Sequence, residues 1–158
     1  MTLPSGGYVL TRDGGEPIWF LGTRMTVKAG RDQTGGALTV IDCECPPGFG
    51  PPLHVHRDED EMFFLLEGAL SVSCGAQRWR VDTGGFVFLP KGVAHRFSVL
   101  DGRPARLLQL TTPAQFEQFA LEAGAPATGS GLPEPQPPDL KRLFAAATRY
   151  HIDILPEE

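Results

Sequence analysis

The chain has 158 residues, of which 41% are apolar and 21% are charged, as in an ordinary globular protein. This length allows one domain with a full core and is short for two. The net charge is −5 and the basic residues are scattered singly, which excludes the clustered basic surface that binds nucleic acid or an anionic membrane.

Within the first 112 residues the amino-acid pattern changes once, near residue 17. Residues 1–17 are rich in glycine, proline and polar groups, and we expect a surface arm with little regular structure. Residues 18–112 predict an all-β domain, because short β-rich runs recur between turn residues. These runs are residues 25–29, 37–45, 54–56, 62–66, 70–74, 78–81, 86–89, 95–100 and 107–110. Their close spacing favours an antiparallel sandwich or barrel.

Residues 113–158 predict a helical tail. Thr112-Pro113-Ala114-Gln115 has the pattern of a capping box with proline at the first helical position, and Gly124 is a suitable end for that helix. Five prolines within residues 125–138 predict a linker. Asp139 is a suitable N-cap for a second helix, and the alternating residues 150–155 predict a final strand.

The cysteines and the N-terminus bear on the cellular compartment. Cys43 and Cys45 lie two apart on a predicted strand and share one face, and Cys74 stands alone. We interpret them as small buried side chains in a reducing compartment, with a metal-binding or disulfide pair as the alternative. No signal peptide and no membrane-spanning segment is recognisable, so we expect a cytoplasmic protein.

Four residues have the character of a metal site. His54 and His56 are two apart on a β run, so both imidazoles share a face with their backbones about 7 Å apart. Residues 57–60 resemble a hairpin turn that returns Glu61, at the start of the next strand, beside the histidines. His95 follows another sharp turn. Three imidazoles and one carboxylate suit one divalent transition metal (Fe, Ni, Mn, Co, Cu or Zn) and suit Ca²⁺ or Mg²⁺ poorly.

Other polar residues nearby receive a different interpretation. We take Asp58, Glu59 and Asp60 as solvated turn residues. Glu59 is the one alternative to Glu61 as a ligand, because a shift in turn geometry would bring it close. His151, the fourth histidine of the chain, is interpreted as an ordinary surface or core residue.

Two motifs connect these residues to a known family. Gly48-x5-His54-x-His56-x4-Glu61-x6-Gly68 resembles the first cupin motif in full. Gly84-x5-Pro90-x-Gly92-x2-His95 resembles the second, with Val99 in place of its usual terminal asparagine. The resemblance covers about residues 37–112. It implies a cupin jelly-roll β-barrel, with His54, His56, Glu61 and His95 as ligands of a metal inside it.

A narrower resemblance reaches outside the motifs. Residues 20–34 and 116–138 are similar to the lead-in and the tail of single-domain quercetin dioxygenase-like cupins. This implies an oxidoreductase, a metal-dependent dioxygenase that acts with O₂ on a flavonol-like or other enol or aromatic small molecule. It also implies that Glu61 is the catalytic base as well as a ligand. Cupin barrels commonly dimerise and the tail helices need a surface to cover, so we expect a homodimer.

Strand alternation indicates which residues form a substrate pocket. Residues two and four places after a ligand on the same strand should also face inward. Two further aromatic residues share one face of a neighbouring strand, although alternation does not decide which face. The predicted pocket residues are Phe63, Leu65, Phe86, Phe88, Phe97 and Val99. For each of them the alternative is an ordinary place in the barrel core.

Two other functions use the same ligand set, because the fold does not settle the chemistry. One is a metal-assisted isomerase, cyclase or lyase acting on a sugar or polyketide intermediate. The other is a small-molecule-binding protein without turnover. No acid or base besides Glu61 is recognisable, which counts against an isomerase.

Overall fold

The computed structural model describes Leu3 and residues 6–157. This part of the chain forms twelve strands and three helices. In chain order they are β1 (Glu16–Phe20), β2 (Thr23–Ala29), α1 (Arg31–Thr34), β3 (Thr39–Cys45), β4 (His54–His56), β5 (Asp60–Glu67), β6 (Ala69–Cys74), β7 (Gln77–Asp82), β8 (Phe86–Leu89), β9 (His95–Val99), β10 (Ala105–Thr112), α2 (Phe116–Ala123), β11 (Ala125–Pro126), α3 (Leu140–Arg149) and β12 (Ile152–Ile154).

The strands form two antiparallel sheets that enclose one interior. The larger sheet has the order β11-β1-β2-β3-β10-β5-β8, and the smaller sheet has the order β12-β4-β9-β6-β7. The consecutive strands β4 and β5 lie in different sheets, so the turn between them crosses from one sheet to the other. The predicted all-β barrel with a short helical extension is confirmed.

The core follows from strand alternation. Along β10, Ala105, Leu107, Gln109 and Thr111 are buried, whereas the residues between them are partly exposed. Cys43 and Cys45 of β3 are also buried, with their sulfur atoms 3.6 Å apart and no disulfide. The interpretation of these two cysteines as small core residues is therefore confirmed.

Replacing Phe63 by alanine should lower the free energy of unfolding by about 3–5 kcal/mol, because it empties a large site in a packed core. Phe63 is 2% exposed and its ring lies 5.2 Å from that of Phe97, centroid to centroid. Urea denaturation of the metal-free protein would measure the change. Leu121→Ala is the control: this side chain is exposed, and its loss should change the free energy by about 0.5 kcal/mol or less. Equal losses in both variants would contradict the core assignment.

The segment before β1 lies against strand β2. Lys28 Nζ donates to the carbonyl oxygens of Thr11, Arg12 and Gly14 at 3.3, 2.6 and 2.6 Å, and Tyr8 Oη donates to the carbonyl oxygen of Lys28 at 2.6 Å. These bonds anchor residues 8–14, which contain no strand or helix. The first strand begins at residue 16, within the segment that we expected to be an arm.

The start of α2 differs from the expectation. Its N-cap is Gln115, which makes no side-chain capping bond. Thr112 instead ends β10, pairs with Asp60 and donates its hydroxyl to the carbonyl oxygen of Ala37 at 2.8 Å. The predicted capping box at Thr112 is therefore wrong, because strand pairing extends through this residue. The predicted cap of the second helix is confirmed, since Asp139 Oδ1 accepts from Arg142 N at 3.0 Å.

The tail covers the barrel of its own chain. Phe116, Phe119 and Ala120 of α2 are buried, as are Leu143, Ala146 and Ala147 of α3, and α2 contacts α3 and β1. Strand β12 pairs with β4, next to two of the candidate ligands. Leu121 of α2 and Leu140 and Phe144 of α3 stay exposed. Neither these two helices nor any other helix among the described residues has the length and apolar character needed to cross a bilayer.

Candidate metal centre

The four candidate ligands converge inside the barrel. His54 and His56 lie on β4, His95 lies opposite His54 on the paired strand β9, and Glu61 projects from β5 in the other sheet. One potential ligand atom from each of the four lies within 4.8 Å of the others. The predicted hairpin between β4 and β5 is wrong: the two strands belong to different sheets, so Glu61 faces the histidines across the interior.

The carboxylate of Glu61 lies between two imidazoles. Its Oε2 atom is 2.9 Å from His56 Nε2 and 3.2 Å from His95 Nε2. The rings of His56 and His95 are nearly parallel, at an interplanar angle of 3°, and the His54 ring lies 4.5 Å from that of His95 by centroid. His56, Glu61 and His95 are all buried. Such a cluster of nitrogen and oxygen donors can hold a divalent transition metal.

The hydrogen bonds of the three imidazoles fit that role. His54 Nδ1 lies 2.7 Å from the carbonyl oxygen of Pro52, and His95 Nδ1 lies 3.1 Å from that of Val93. A carbonyl oxygen can only accept, so each Nδ1 donates its proton there, which leaves Nε2 as the nitrogen available to a metal. The Nε2 of His56 is buried and lies 2.9 Å from Glu61 Oε2, but it is not aligned for a hydrogen bond with that oxygen or with any other described residue. A metal ion would satisfy it.

The electrostatics of the cluster are strongly coupled. Burial, together with the neighbouring His95 and His56, lowers the pKa of His54 to about 4. Burial also acts to lower the pKa of His56, but the carboxylates of Glu61 and Glu59 outweigh it and raise that pKa to about 10. For Glu61, burial is outweighed by His56 and His95, which hold its pKa well below the ordinary range. In the metal-free cluster His56 therefore holds a proton that a metal ion would displace.

Two polar residues contact the ligands in ways that the sequence did not predict: Gln109 was not identified, and Glu59 was interpreted as solvated. Gln109 Nε2 donates to Glu61 Oε1 at 3.0 Å, and Glu59 Oε1 lies 2.7 Å from His56 Nδ1. Glu59 is 1% exposed, so its interpretation as a solvated turn residue is wrong. Burial raises its pKa, although His56 acts in the opposite direction. Gln109 was recognisable from the sequence, because it is a polar residue at an inward-facing position of a strand in which apolar and polar residues alternate.

A small cavity of about 40 Å³ adjoins the ligands. Its walls are mostly apolar, and its polar lining residues are the two ligands His54 and Glu61, together with Gln109. The remaining lining residues are Met25, Cys43, Phe49, Pro51, Phe97, Leu107 and Phe116. Its volume holds little more than one or two water molecules.

The predicted pocket residues divide into three groups. Phe97 lines the cavity, whereas Phe63, Leu65 and Val99 belong to the packed core around it. Phe86 and Phe88 are 61% and 51% exposed, so their assignment to the pocket is wrong.

The cause of that error is the register between β5 and β8. Glu61 pairs with Leu89, and Phe63 pairs with Val87. Paired residues of neighbouring strands lie on the same face of a sheet. Val87 and Leu89 therefore face the interior with Glu61, and the two phenylalanines between them face outward.

His151 lies outside the cluster. It is exposed and its Nδ1 contacts Asp58 Oδ2, which agrees with its interpretation as an ordinary surface residue.

Comparison with known proteins places these features in a family context. Residues 42–111 match the family described as "Cupin domain". Over 137 residues the chain is 28% identical to a "Quercetin 2,3-dioxygenase" from Bacillus subtilis, in a match that covers 85% of this chain and 40% of that protein. The chain thus spans less than half the length of this relative.

Two solved structures share the fold. A protein described as a predicted oxalate decarboxylase from Thermotoga maritima has a TM-score of 0.62 and 16% identity, and the match covers 67% of this chain and 99% of that one. An RmlC-like cupin from Shewanella frigidimarina has a TM-score of 0.60 and 16% identity, with 72% and 96% covered. At such identities the likeness concerns the fold alone.

Proposed function

We propose that this protein, which carries a cupin domain over residues 42–111, is a metal-dependent dioxygenase that acts on a flavonol-like or other enol or aromatic small molecule. The observation that carries the proposal is the convergence of three imidazoles and Glu61 beside a mostly apolar cavity. The distant relationship to a quercetin 2,3-dioxygenase supports the same chemistry.

The residues of the cluster have distinct tasks under this proposal. His54, His56, Glu61 and His95 would hold one divalent metal, which when bound supplies the site that brings an enol oxygen and O₂ together. Gln109 donates to Glu61 Oε1 and orients the carboxylate, which would accept the hydroxyl proton of the substrate. Phe97, Phe49 and Phe116 give an aromatic wall suited to a planar ligand.

Substrate access requires movement of one wall. A cavity of about 40 Å³ is far below the roughly 300 Å³ of a typical small-molecule site. Pro51 and Phe97 line this cavity and also an outer groove of about 400 Å³ on the smaller sheet. Phe49 and Pro51 lie in the irregular segment between β3 and β4. We infer that displacement of this segment joins the groove to the cavity and admits the substrate.

Metal identification followed by oxygen measurements tests the proposal. Protein purified without chelators should contain close to one Fe, Ni, Mn, Co, Cu or Zn ion per chain by elemental analysis. With a redox-active metal it should consume one O₂ per molecule of flavonol or other enol in an oxygen electrode, because a dioxygenase places both oxygen atoms in its product. The His95→Ala variant is the matched control and should consume none.

Other outcomes would favour the alternative functions. Conversion of a sugar or polyketide intermediate without O₂ would indicate an isomerase, cyclase or lyase. Tight binding of a small molecule without product would indicate a binding protein. An absence of oxygen uptake with every redox-active metal tested would contradict the dioxygenase proposal. The cytoplasmic location stays a prediction.

A further inference from the structure

Glu59 is a buried carboxylate that is not one of the four clustered ligand residues. It lies in the turn between β4 and β5, and its side chain is 1% exposed. Its Oε1 atom is 2.7 Å from His56 Nδ1, and its Oε2 atom has no hydrogen-bond partner among the described residues. Burial of a carboxylate costs free energy unless the group is paired, and the contact with His56 offsets part of that cost.

His56 differs from the other two imidazoles in this contact. The Nδ1 atoms of His54 and His95 face neutral backbone carbonyls, whereas that of His56 faces a carboxylate. A hydrogen bond to an ionised acceptor is about twice as strong as a neutral one. It fixes the ring tautomer, with the proton on Nδ1 and the lone pair on Nε2, and makes Nε2 a stronger donor to a metal.

We propose that Glu59 is a positioning residue, which orients His56 with Nε2 towards the metal and strengthens that bond. The proposal rests on the metal site of the proposed function. Glu59 is not itself part of the cluster. Of these two carboxylates, only that of Glu61 has an oxygen close to the ligand nitrogens of all three histidines. The loss of such an outer partner typically weakens metal binding 10–100-fold.

Competition titration with Co²⁺ tests the role of Glu59. Glu59→Gln keeps the size of the side chain but removes its charge, and we expect the dissociation constant for Co²⁺ to rise 10–100-fold. Glu67→Gln, a change at an exposed carboxylate, is the matched control and should leave the constant unchanged. Equal Co²⁺ affinity in wild type and Glu59→Gln would overturn the proposal. Absence of Co²⁺ binding in the wild type would contradict the metal site itself.

A spectroscopic measurement separates positioning from general support of the fold. In the Co²⁺-loaded protein each ligating imidazole should give an exchangeable, strongly shifted proton NMR signal from its Nδ1–H. Glu59→Gln should move the signal of His56 and leave those of His54 and His95 in place. If Glu59→Gln does not fold, NMR of the ring nitrogens in the Zn²⁺-loaded wild type shows which nitrogen of His56 binds the metal. Ligation through Nδ1 would overturn the proposal, and ligation through Nε2 would support it.

Discussion

Alanine in place of His95 should remove nearly all tightly bound metal from the purified protein. His95 supplies one of three imidazole nitrogens, and its Nε2 lies 3.2 Å from Glu61 Oε2 at the centre of the cluster. Loss of a direct ligand should weaken metal binding by more than the 10–100-fold typical of an outer partner. Elemental analysis of protein prepared without chelators measures the ratio of metal to chain. His54→Ala should behave in the same way.

The control for this prediction is the fourth histidine. His151 is exposed and contacts Asp58, away from the cluster, so His151→Ala should keep the metal content of the wild type. Circular dichroism should report unchanged strand content in all three variants. Full retention of metal in His95→Ala and His54→Ala would show that the metal binds elsewhere.

Glutamine in place of Glu61 should lower kcat by about 10²–10⁴, the range typical for a lost acid or base. The amide preserves the size of the side chain, so the barrel should fold, but its nitrogen or oxygen cannot take up a substrate proton as a carboxylate does. Part of the bound metal should remain on the three imidazoles. The measurements are O₂ consumption and metal content for the same samples, so that kcat is expressed per bound metal ion.

The matched control for Glu61→Gln is a change at its hydrogen-bond partner. Gln109→Leu removes the donor to Glu61 Oε1 and leaves the carboxylate itself in place. It should reduce kcat less than Glu61→Gln does. An unchanged kcat per metal ion in Glu61→Gln would contradict the role of Glu61 as a base and leave it only as a ligand.

Much of the barrel was predictable from local patterns. The runs at residues 54–56 and 86–89 coincide with β4 and β8, and the helix cap at Asp139 is present. These features depend on neighbours within a few residues, through alternation and capping. The spacing of His54, His56, Glu61 and His95 also identified side chains that the fold brings together. Spacing sufficed there because β4 and β9 pair directly and β5 follows β4 after a short turn.

The environment of the ligands was not predictable in the same way. Glu59 looked like a solvated turn residue among other acidic residues, and its contact with His56 depends on how the turn crosses between the sheets. Gln109 reaches Glu61 only because β10 pairs with β5 in one particular register. At the end of β10, the local sequence predicted a helix cap at Thr112. Pairing with β5 instead continues the strand through this residue.

The sequence by itself determined that Phe86 and Phe88 share a face, that the chain is a β-barrel, and that three histidines and Glu61 form a candidate metal site. Only the tertiary structure decided that the two phenylalanines face outward and that the cavity beside the ligands is small. The physical reason is that alternation along one strand sets which residues lie on the same side, whereas the register of the neighbouring strand sets which side faces the core.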